Sequence, residues 1–175
     1  MEPVTSAALK AFFQTLGERV PEHATLNLLG GSALCLLGNT RETQDVDYSL
    51  ESSTQEIEKI IQTLAMEMKM DLEAVPLAEF IPLPAGAPSR RRFIGHFGHL
   101  DVYIFDLYSI ALSKIARGFE SDLEDVQFLL SQNLITWDEL ETHFTNVLPR
   151  ARKADIDPKE FQAYFDELKR RFQSR

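Results

Sequence analysis

Asp45 and Asp47 are the two residues whose type and spacing are best suited to bind a cation. They are two positions apart on a predicted strand, so both side chains point to the same face. Two carboxylates held that close repel each other unless a cation lies between them. Carboxylate oxygens suit Mg²⁺ or Mn²⁺, which complete their coordination with water and substrate phosphates. The pair therefore predicts a divalent-cation site.

A Gly30-Gly31-Ser32 turn precedes this pair and follows a short apolar run. The two glycines allow a sharp turn and present no side chain that could block a ligand. A predicted helix begins at Ser32, and its first N–H groups and the positive end of its dipole point into the same space. The turn is therefore suited to a triphosphate. The alternative is that Asp45 and Asp47 only solvate the edge of a strand.

Asp101 is the candidate for a third carboxylate. It lies in a predicted strand, where it alternates with apolar residues. An acid in such a strand is costly to bury without a partner, and a metal ion could be that partner. Phosphoryl or nucleotidyl transfer with two metal ions also uses a carboxylate near the attacking hydroxyl. We therefore predict that Asp101 is a catalytic and metal-binding residue. The alternative is a salt bridge between Asp101 and Arg91 or Arg92.

These motifs together resemble those of a known superfamily. A hydrophobic-Gly-Gly-Ser run, a gap of twelve residues after Ser32, Asp-Val-Asp and a later Asp on a strand are similar to the polymerase-β-like nucleotidyltransferases. The strings at 112–118 and 122–126 look like one group within it, the small prokaryotic nucleotidyltransferases akin to AbiEii abortive-infection toxins and their uncharacterised relatives. The resemblance covers roughly residues 26–130.

The resemblance implies a metal-dependent enzyme that moves NMP from an NTP to a hydroxyl group of an RNA, tRNA included, or of a protein. It also implies a toxin–antitoxin or phage-defence setting, with a cognate toxin or antitoxin as partner. The main alternative is a catalytically inactive protein on the same scaffold, such as an antitoxin or adaptor. The compact size and the absence of a recognisable acceptor-binding domain motivate that alternative. Kinase-like phosphoryl transfer is a third possibility.

The same resemblance assigns roles to individual residues. Ser32 would contact the phosphates, and Lys114 would neutralise the triphosphate. Asp125, or Asp122, would complete the site or orient Lys114, and Arg41 matches an Arg-x-Thr position before the acidic pair. The implied nucleotide-binding set is Gly30, Gly31, Ser32, Arg41, Lys114 and Asp125, and the catalytic set is Asp45, Asp47, Asp101 and Lys114. The alternative for Lys114 and Asp125 is a stabilising ion pair between helices.

Hydrophobic periodicity predicts the elements that position these residues. Strands are predicted at 26–29, 46–50, 72–75, 91–97 and 100–105, and the last two form a hairpin. Helices are predicted at 5–17 and 33–37, and a third begins at residue 53. A proline-rich loop is predicted at 76–88, and only helices follow residue 105. The order predicts an α+β fold, a small mixed sheet with helices on one face and a C-terminal helical bundle. We predict a nucleotidyltransferase α/β core at 1–105 and a helical region packed on it at 106–175.

Composition limits the classes of protein that fit. The chain of 175 residues has a net charge of −9, with +3 on residues 150–175 and −12 on the rest. So acidic a body argues against broad nonspecific binding to a nucleic-acid backbone. The single cysteine, Cys35, cannot form an internal disulfide, which favours a reducing compartment. With no secretory signal and no apolar run of about 20 residues, we expect a cytoplasmic protein without a membrane span.

Overall fold

A computed structural model describes residues 2–174 and confirms the α+β class. Within these residues there are five strands: β1 (Ala24–Leu28), β2 (Asp45–Leu50), β3 (Asp71–Ala74), β4 (Arg92–Phe97) and β5 (Leu100–Ile104). The α-helices are α1 (Ser6–Arg19), α2 (Gly31–Leu36), α3 (Gln55–Met68), α4 (Leu77–Phe80), α5 (Leu107–Arg117), α6 (Glu120–Ser131), α7 (Trp137–Val147) and α8 (Pro158–Gln173). Two 3₁₀ segments, Ala87–Arg90 and Leu148–Ala154, complete the pattern.

The five strands form one mixed sheet in the order β3-β2-β1-β5-β4. β1 lies at its centre, antiparallel to β2 and parallel to β5. β3 runs parallel to β2 at one edge, and β4 forms the predicted hairpin with β5 at the other. The sheet therefore places the residues that follow β1 directly beside the beginning of β2.

The two faces of the sheet differ in chemistry. Successive residues of a strand point to opposite faces, and register partners point to the same face. The apolar face carries the fully buried residues Leu26, Leu28, Val46, Tyr48, Leu100, Val102 and Ile104. Helices α1 and α3 pack on this face, because Phe13 of α1 contacts Phe97 and the Tyr48 hydroxyl bonds Glu58 of α3 at 2.5 Å. The other face, here the polar face, carries Asp47, Ser49, Asn27, Tyr103 and Asp101.

Gly17 has a different role from the predicted one. The sequence predicts that it ends the first helix, yet α1 continues to Arg19. A Cβ atom at Gly17 would lie 1.7 Å from the main-chain carbonyl oxygen of Phe97. The Gly17 carbonyl also accepts a hydrogen bond from the N–H of His99 at 3.0 Å. The glycine therefore allows α1 to touch the backbone of the β4–β5 hairpin.

The chain divides into two compact units, residues 1–76 with 91–105 and residues 77–90 with 106–175. The predicted core at 1–105 needs a correction, because 77–90 belongs to the second unit. There, Arg90 makes a bidentate pair with Asp106, both bonds 2.8 Å. Arg150 donates to the carbonyl of Leu83 at 3.0 Å. These bonds join the proline-rich segment to the helices that follow residue 105.

The second unit is a helical bundle with an aromatic centre. The rings of Phe144 and Phe165 stack with centroids 3.9 Å apart, and Trp137 stacks on Phe165 and Phe172. Asp106 caps α5, and Gly118 ends it with a φ of 73°. Within residues 2–174, no helix is long and apolar enough to cross a membrane.

Candidate functional site

The turn after β1 and the beginning of β2 lie against each other. The N–H of Leu29 donates to the carbonyl of Asp47 at 3.0 Å, so Asp47 lies beside the end of β1. A Cβ atom at Gly30 would lie 2.7 Å from Oδ2 of Asp47. The Asp47 carboxylate therefore occupies the space that a side chain at position 30 would need. The structure brings together the predicted turn and one of its two predicted metal ligands.

The positively charged side chain of Arg41 lies near the second glycine of the same turn. A Cβ atom at Gly31 would lie 3.6 Å from Nη2 of Arg41 and 3.0 Å from Oγ1 of Thr43. The Thr43 hydroxyl donates to the carbonyl of Asp45 at 3.4 Å, which joins this segment to the start of β2. Arg41 is thus close to the glycines, as the Arg-x-Thr resemblance implies. A guanidinium beside a side-chain-free turn is suited to phosphate oxygens.

Glu73 is a carboxylate near this site that the sequence analysis did not select. In the parallel register, Asp45 pairs with Asp71 and Asp47 pairs with Glu73. Register partners on neighbouring strands are about 4.8 Å apart, so Glu73 lies next to Asp47 on the polar face. The signal in the sequence is an acid between the apolar Leu72 and Ala74. This signal does not place Glu73 in the site, because the sequence does not show which strand pairs with β3.

The donor set matches the chemistry of Mg²⁺ or Mn²⁺. Asp45 and Asp47 offer carboxylate oxygens on one face, and the missing Cβ of Gly30 leaves room for that of Asp47. Hard divalent cations prefer such ligands. Among residues 2–174, however, no group of three or more His, Cys, Asp or Glu side chains is arranged to hold a metal ion. The site therefore provides two carboxylates, and the remaining ligands would have to come from substrate or solvent.

Ser32 lies beneath the turn instead of on its surface. The residue is fully buried, and among the residues that the structure describes its Oγ has no hydrogen-bond partner. A buried hydroxyl without a partner costs about 1–3 kcal/mol. The hydroxyl therefore has unused capacity to bond an oxygen at the base of the turn, although a ligand would reach it only after a local shift.

Asp101 lies at the opposite end of the strands from Gly30. It pairs with Thr25, near the start of β1, which places it about 13 Å from the level of Leu29. Its carboxylate bonds His23 Nε2 at 2.8 Å and His96 Nδ1 at 2.6 Å, instead of Arg91 or Arg92. These two bonds, that of His23 first, lower the pKa of Asp101. The structure does not bring Asp101 to Asp45 and Asp47, and the strand register is the physical reason.

Lys114 and Asp125 pair within the second unit. Lys114 Nζ lies 2.8 Å from Asp125 Oδ2 and 4.0 Å from Asp122 Oδ1. The Lys114 side chain is only 6% exposed, and that of Asp125 is 1% exposed. Arg117 closes the group with two bonds to Asp122, at 2.9 and 2.6 Å. The predicted ion pair is therefore present and buried, while a role in binding nucleotide stays a prediction.

The three consecutive arginines, Arg90, Arg91 and Arg92, have three different sets of neighbours. Arg90 is bound to Asp106 in the second unit. Arg91 is paired with Glu51, and its guanidinium lies 4.0 Å from the centre of the Tyr103 ring. Arg92 is exposed at the start of the edge strand β4, the position where a charge discourages pairing with another sheet.

Comparison with known proteins identifies one family and no individual relative. Neither the curated proteins nor the solved structures gave a match. A family model described as "Nucleotidyltransferase of unknown function (DUF6036)" matches residues 7–173, nearly the whole chain. Its description agrees with a mixed sheet that places a Gly-Gly turn against Asp47. The chain belongs to this family of nucleotidyltransferases of unknown function.

Proposed function

We propose that this chain transfers NMP from an NTP to a hydroxyl group of an RNA or of a protein, with a divalent cation at Asp45 and Asp47. One observation carries the proposal: the Asp47 carboxylate lies against Gly30, at the turn that follows the central strand. A phosphate group over this turn would lie within reach of a cation on Asp47. The arrangement thus supports nucleotidyl transfer, which requires a phosphate site and a carboxylate-held cation.

The triphosphate would lie over the two glycines of the turn. Gly30 and Gly31 are only partly buried, and neither has a side chain to exclude a phosphate. The Arg41 guanidinium beside Gly31 supplies positive charge at this edge of the acidic unit. The Ser32 hydroxyl, which has no hydrogen-bond partner within residues 2–174, would supply a further hydrogen-bonding group below the glycines. Lys114 and Asp125 remain candidates for the same ligand by resemblance alone.

When bound, Mg²⁺ or Mn²⁺ would neutralise phosphate charge and orient the phosphates. Asp45 and Asp47 would hold it. We assign Glu73, in place of Asp101, as the carboxylate that accepts the proton of the acceptor hydroxyl, because Glu73 is the register partner of Asp47. The acceptor oxygen forms a bond to the α-phosphorus, the bond from this phosphorus to the bridging oxygen breaks, and pyrophosphate leaves.

A transfer assay tests the proposal. The full chain is incubated with each of the four NTPs, Mg²⁺ or Mn²⁺ and a mixture of tRNA and protein, and the acceptors are analysed by mass spectrometry. We expect an acceptor that gains the mass of an NMP, and no product with Asp47→Asn. A gain of one phosphate would indicate kinase-like transfer instead. No product with any nucleotide would favour an inactive binding protein, paired with a cognate toxin or antitoxin.

A further inference from the structure

The polar face of the sheet carries an aromatic cluster beyond Asp47. The rings of Phe93 on β4 and Tyr103 on β5 have centroids 5.3 Å apart, and the Arg91 guanidinium stacks on Tyr103 at 4.0 Å. Phe93 is 56% exposed. We call Phe93, Tyr103 and Arg91 the aromatic patch. One exposed phenylalanine alone is ordinary, so the patch needs a second observation to indicate a ligand.

Asn27 provides that observation. It is the register partner of Tyr103 and lies beside the patch on the central strand. The residue is 1% exposed, and among the residues that the structure describes its Oδ1 has no hydrogen-bond partner. Its Nδ2 donates to Glu51 Oε1 at 3.3 Å, so the amide is half satisfied. A buried carbonyl oxygen of this kind is expected to have a donor, and a bound ligand can supply it.

Two partly exposed side chains hold the Asn27 amide and the Tyr103 ring in their present contacts. Glu51, which accepts from Asn27, is also the ion-pair partner of Arg91, and these two side chains are 44% and 34% exposed. Ion pairs at such exposure contribute little to stability, so a ligand could displace them at low cost. Displacement of Arg91 would also uncover the face of the Tyr103 ring that it stacks on.

The patch continues into the proposed transfer site. Asn27 pairs with Ser49, which is two positions after Asp47 on the same face of β2. Two residues along a strand correspond to about 7 Å. A group bound at Asn27 and Tyr103 can therefore belong to a molecule whose reacting phosphate or hydroxyl lies at Asp47.

The chemistry of the patch selects one class of ligand. Planar bases of any kind stack on exposed aromatic rings, and an asparagine carbonyl accepts from an exocyclic amine such as that of adenine or cytosine. The unit is acidic, which disfavours attraction through the phosphate backbone and leaves the base as the group to recognise. We propose that Asn27, Tyr103 and Phe93 form a nucleobase-binding surface. This inference rests on the proposed transfer, and the base belongs either to the NTP or to an acceptor RNA.

The test is titration calorimetry of the full chain with Phe93→Ala, in which an exposed side chain is removed without disturbing the core. The probes are ATP, CTP and tripolyphosphate with Mg²⁺, and single-stranded oligo(A) and oligo(C) RNA. Met66→Ala, which also alters an exposed side chain of the first unit, is the control. We expect Phe93→Ala to weaken the binding of one class of base-containing probe, the NTPs or the RNA oligomers, by about tenfold. The affinity for tripolyphosphate should be unchanged. Phe93→Trp should restore the affinity.

The outcomes separate this inference from the proposed function. Weaker NTP binding assigns the surface to the NTP base, and weaker binding of RNA alone assigns it to the acceptor. If NTP and RNA affinities are both unchanged in Phe93→Ala while Asp47→Ala abolishes NTP binding, the inference is wrong and the proposed function stands. If wild type binds neither NTP nor RNA, both are wrong. If it binds RNA but no NTP, loss of RNA affinity in Phe93→Ala supports the surface alone.

Discussion

Asp47 and Asp101 are both aspartates on predicted strands, yet the fold gives them different neighbours. Asp47 lies against Gly30, whereas Asp101 lies between two histidines near the start of β1. The type and spacing of Asp45 and Asp47 could be predicted from the sequence, because two alternate residues on a strand always share a face. The position of Asp101 could not, because it depends on the strand register, which arises from tertiary pairing.

Glu73→Gln provides the first prediction. We expect this variant to lower the rate of transfer by about 10²–10³-fold, the usual effect of removing a general base, since Gln cannot accept the proton. Asp101→Asn should have a smaller effect, because Asp101 lies at the other end of β1. Single-turnover rates with saturating NTP provide the comparison. A greater loss in Asp101→Asn than in Glu73→Gln would restore Asp101 as the third carboxylate.

The histidines around Asp101 provide a prediction about pH. Their hydrogen bonds lower the pKa of Asp101 in the folded chain below the ordinary 3.8. The pKa of Asp101 is lower in the folded chain than in the unfolded chain. The ionised carboxylate therefore stabilises the fold above pH 3.8, and this stabilisation is lost as the pH falls below that value. Replacing both His23 and His96 by Ala should raise the pKa of Asp101 toward 3.8. Carboxyl ¹³C NMR titration measures it, and an unchanged value would contradict this cause.

Secondary-structure elements with a chemical signal at their ends could be predicted closely. The string Ser53-Thr54-Gln55-Glu56 resembles a capping box and predicts the start of α3 to within one residue, because the N-cap is Thr54. Asp106 accepts from the first N–H groups of α5, and Gly118 takes the left-handed conformation that ends this helix. The segment 76–88 was predicted as a plain loop because four prolines break any periodicity. It contains α4 and part of a 3₁₀ turn, whose place in the second unit depends on long-range bonds from Arg90 and Arg150. Sequence periodicity carries no information about such bonds.

Gly17→Ala tests the contact between α1 and the hairpin. The added methyl group would collide with the main-chain carbonyl of Phe97, and backbone cannot move aside as a flexible side chain can. We expect the free energy of unfolding to fall by about 3 kcal/mol, at the upper end of ordinary overpacking. Gln14→Ala, an exposed change in the same helix, should alter it by less than about 0.5 kcal/mol. Urea denaturation of both variants is the measurement, and equal stabilities would contradict the contact.

Lys114→Met tests whether the buried ion pair stabilises α5 and α6. The substitution leaves Asp125 as a buried carboxylate without its closest cation, so we expect a loss of about 3–5 kcal/mol in the free energy of unfolding. The double variant Lys114→Met/Asp125→Leu removes both charges and should recover most of this loss. If Lys114→Met alone is as stable as wild type, the lysine is not needed within the bundle. Its assignment to the triphosphate would then gain support.

The whole molecule is an acidic protein in which the last turns of the basic C-terminal helix are paired with acids. Lys169 pairs with Glu141, Arg170 with Glu167, and Arg171 with Glu120 and Glu167. These contacts involve three of the eight Lys and Arg residues at 150–175, so part of the net charge of +3 is balanced within the fold. The Gly-Gly turn, the aspartate pair and the aromatic patch all lie on the sheet of the first unit, and we propose that this sheet recognises the substrate.

The central claim is that Asp45 and Asp47 hold a divalent cation over which an NTP binds. Its most direct test is calorimetric titration with non-hydrolysable ATP and CTP analogues, with and without Mg²⁺, using wild type and Asp45→Ala/Asp47→Ala. Circular dichroism verifies that both proteins are folded. We predict binding that requires Mg²⁺ and is lost in the double variant. Mg²⁺-dependent binding that persists in the double variant, or no binding of either analogue by folded wild type, would contradict the account.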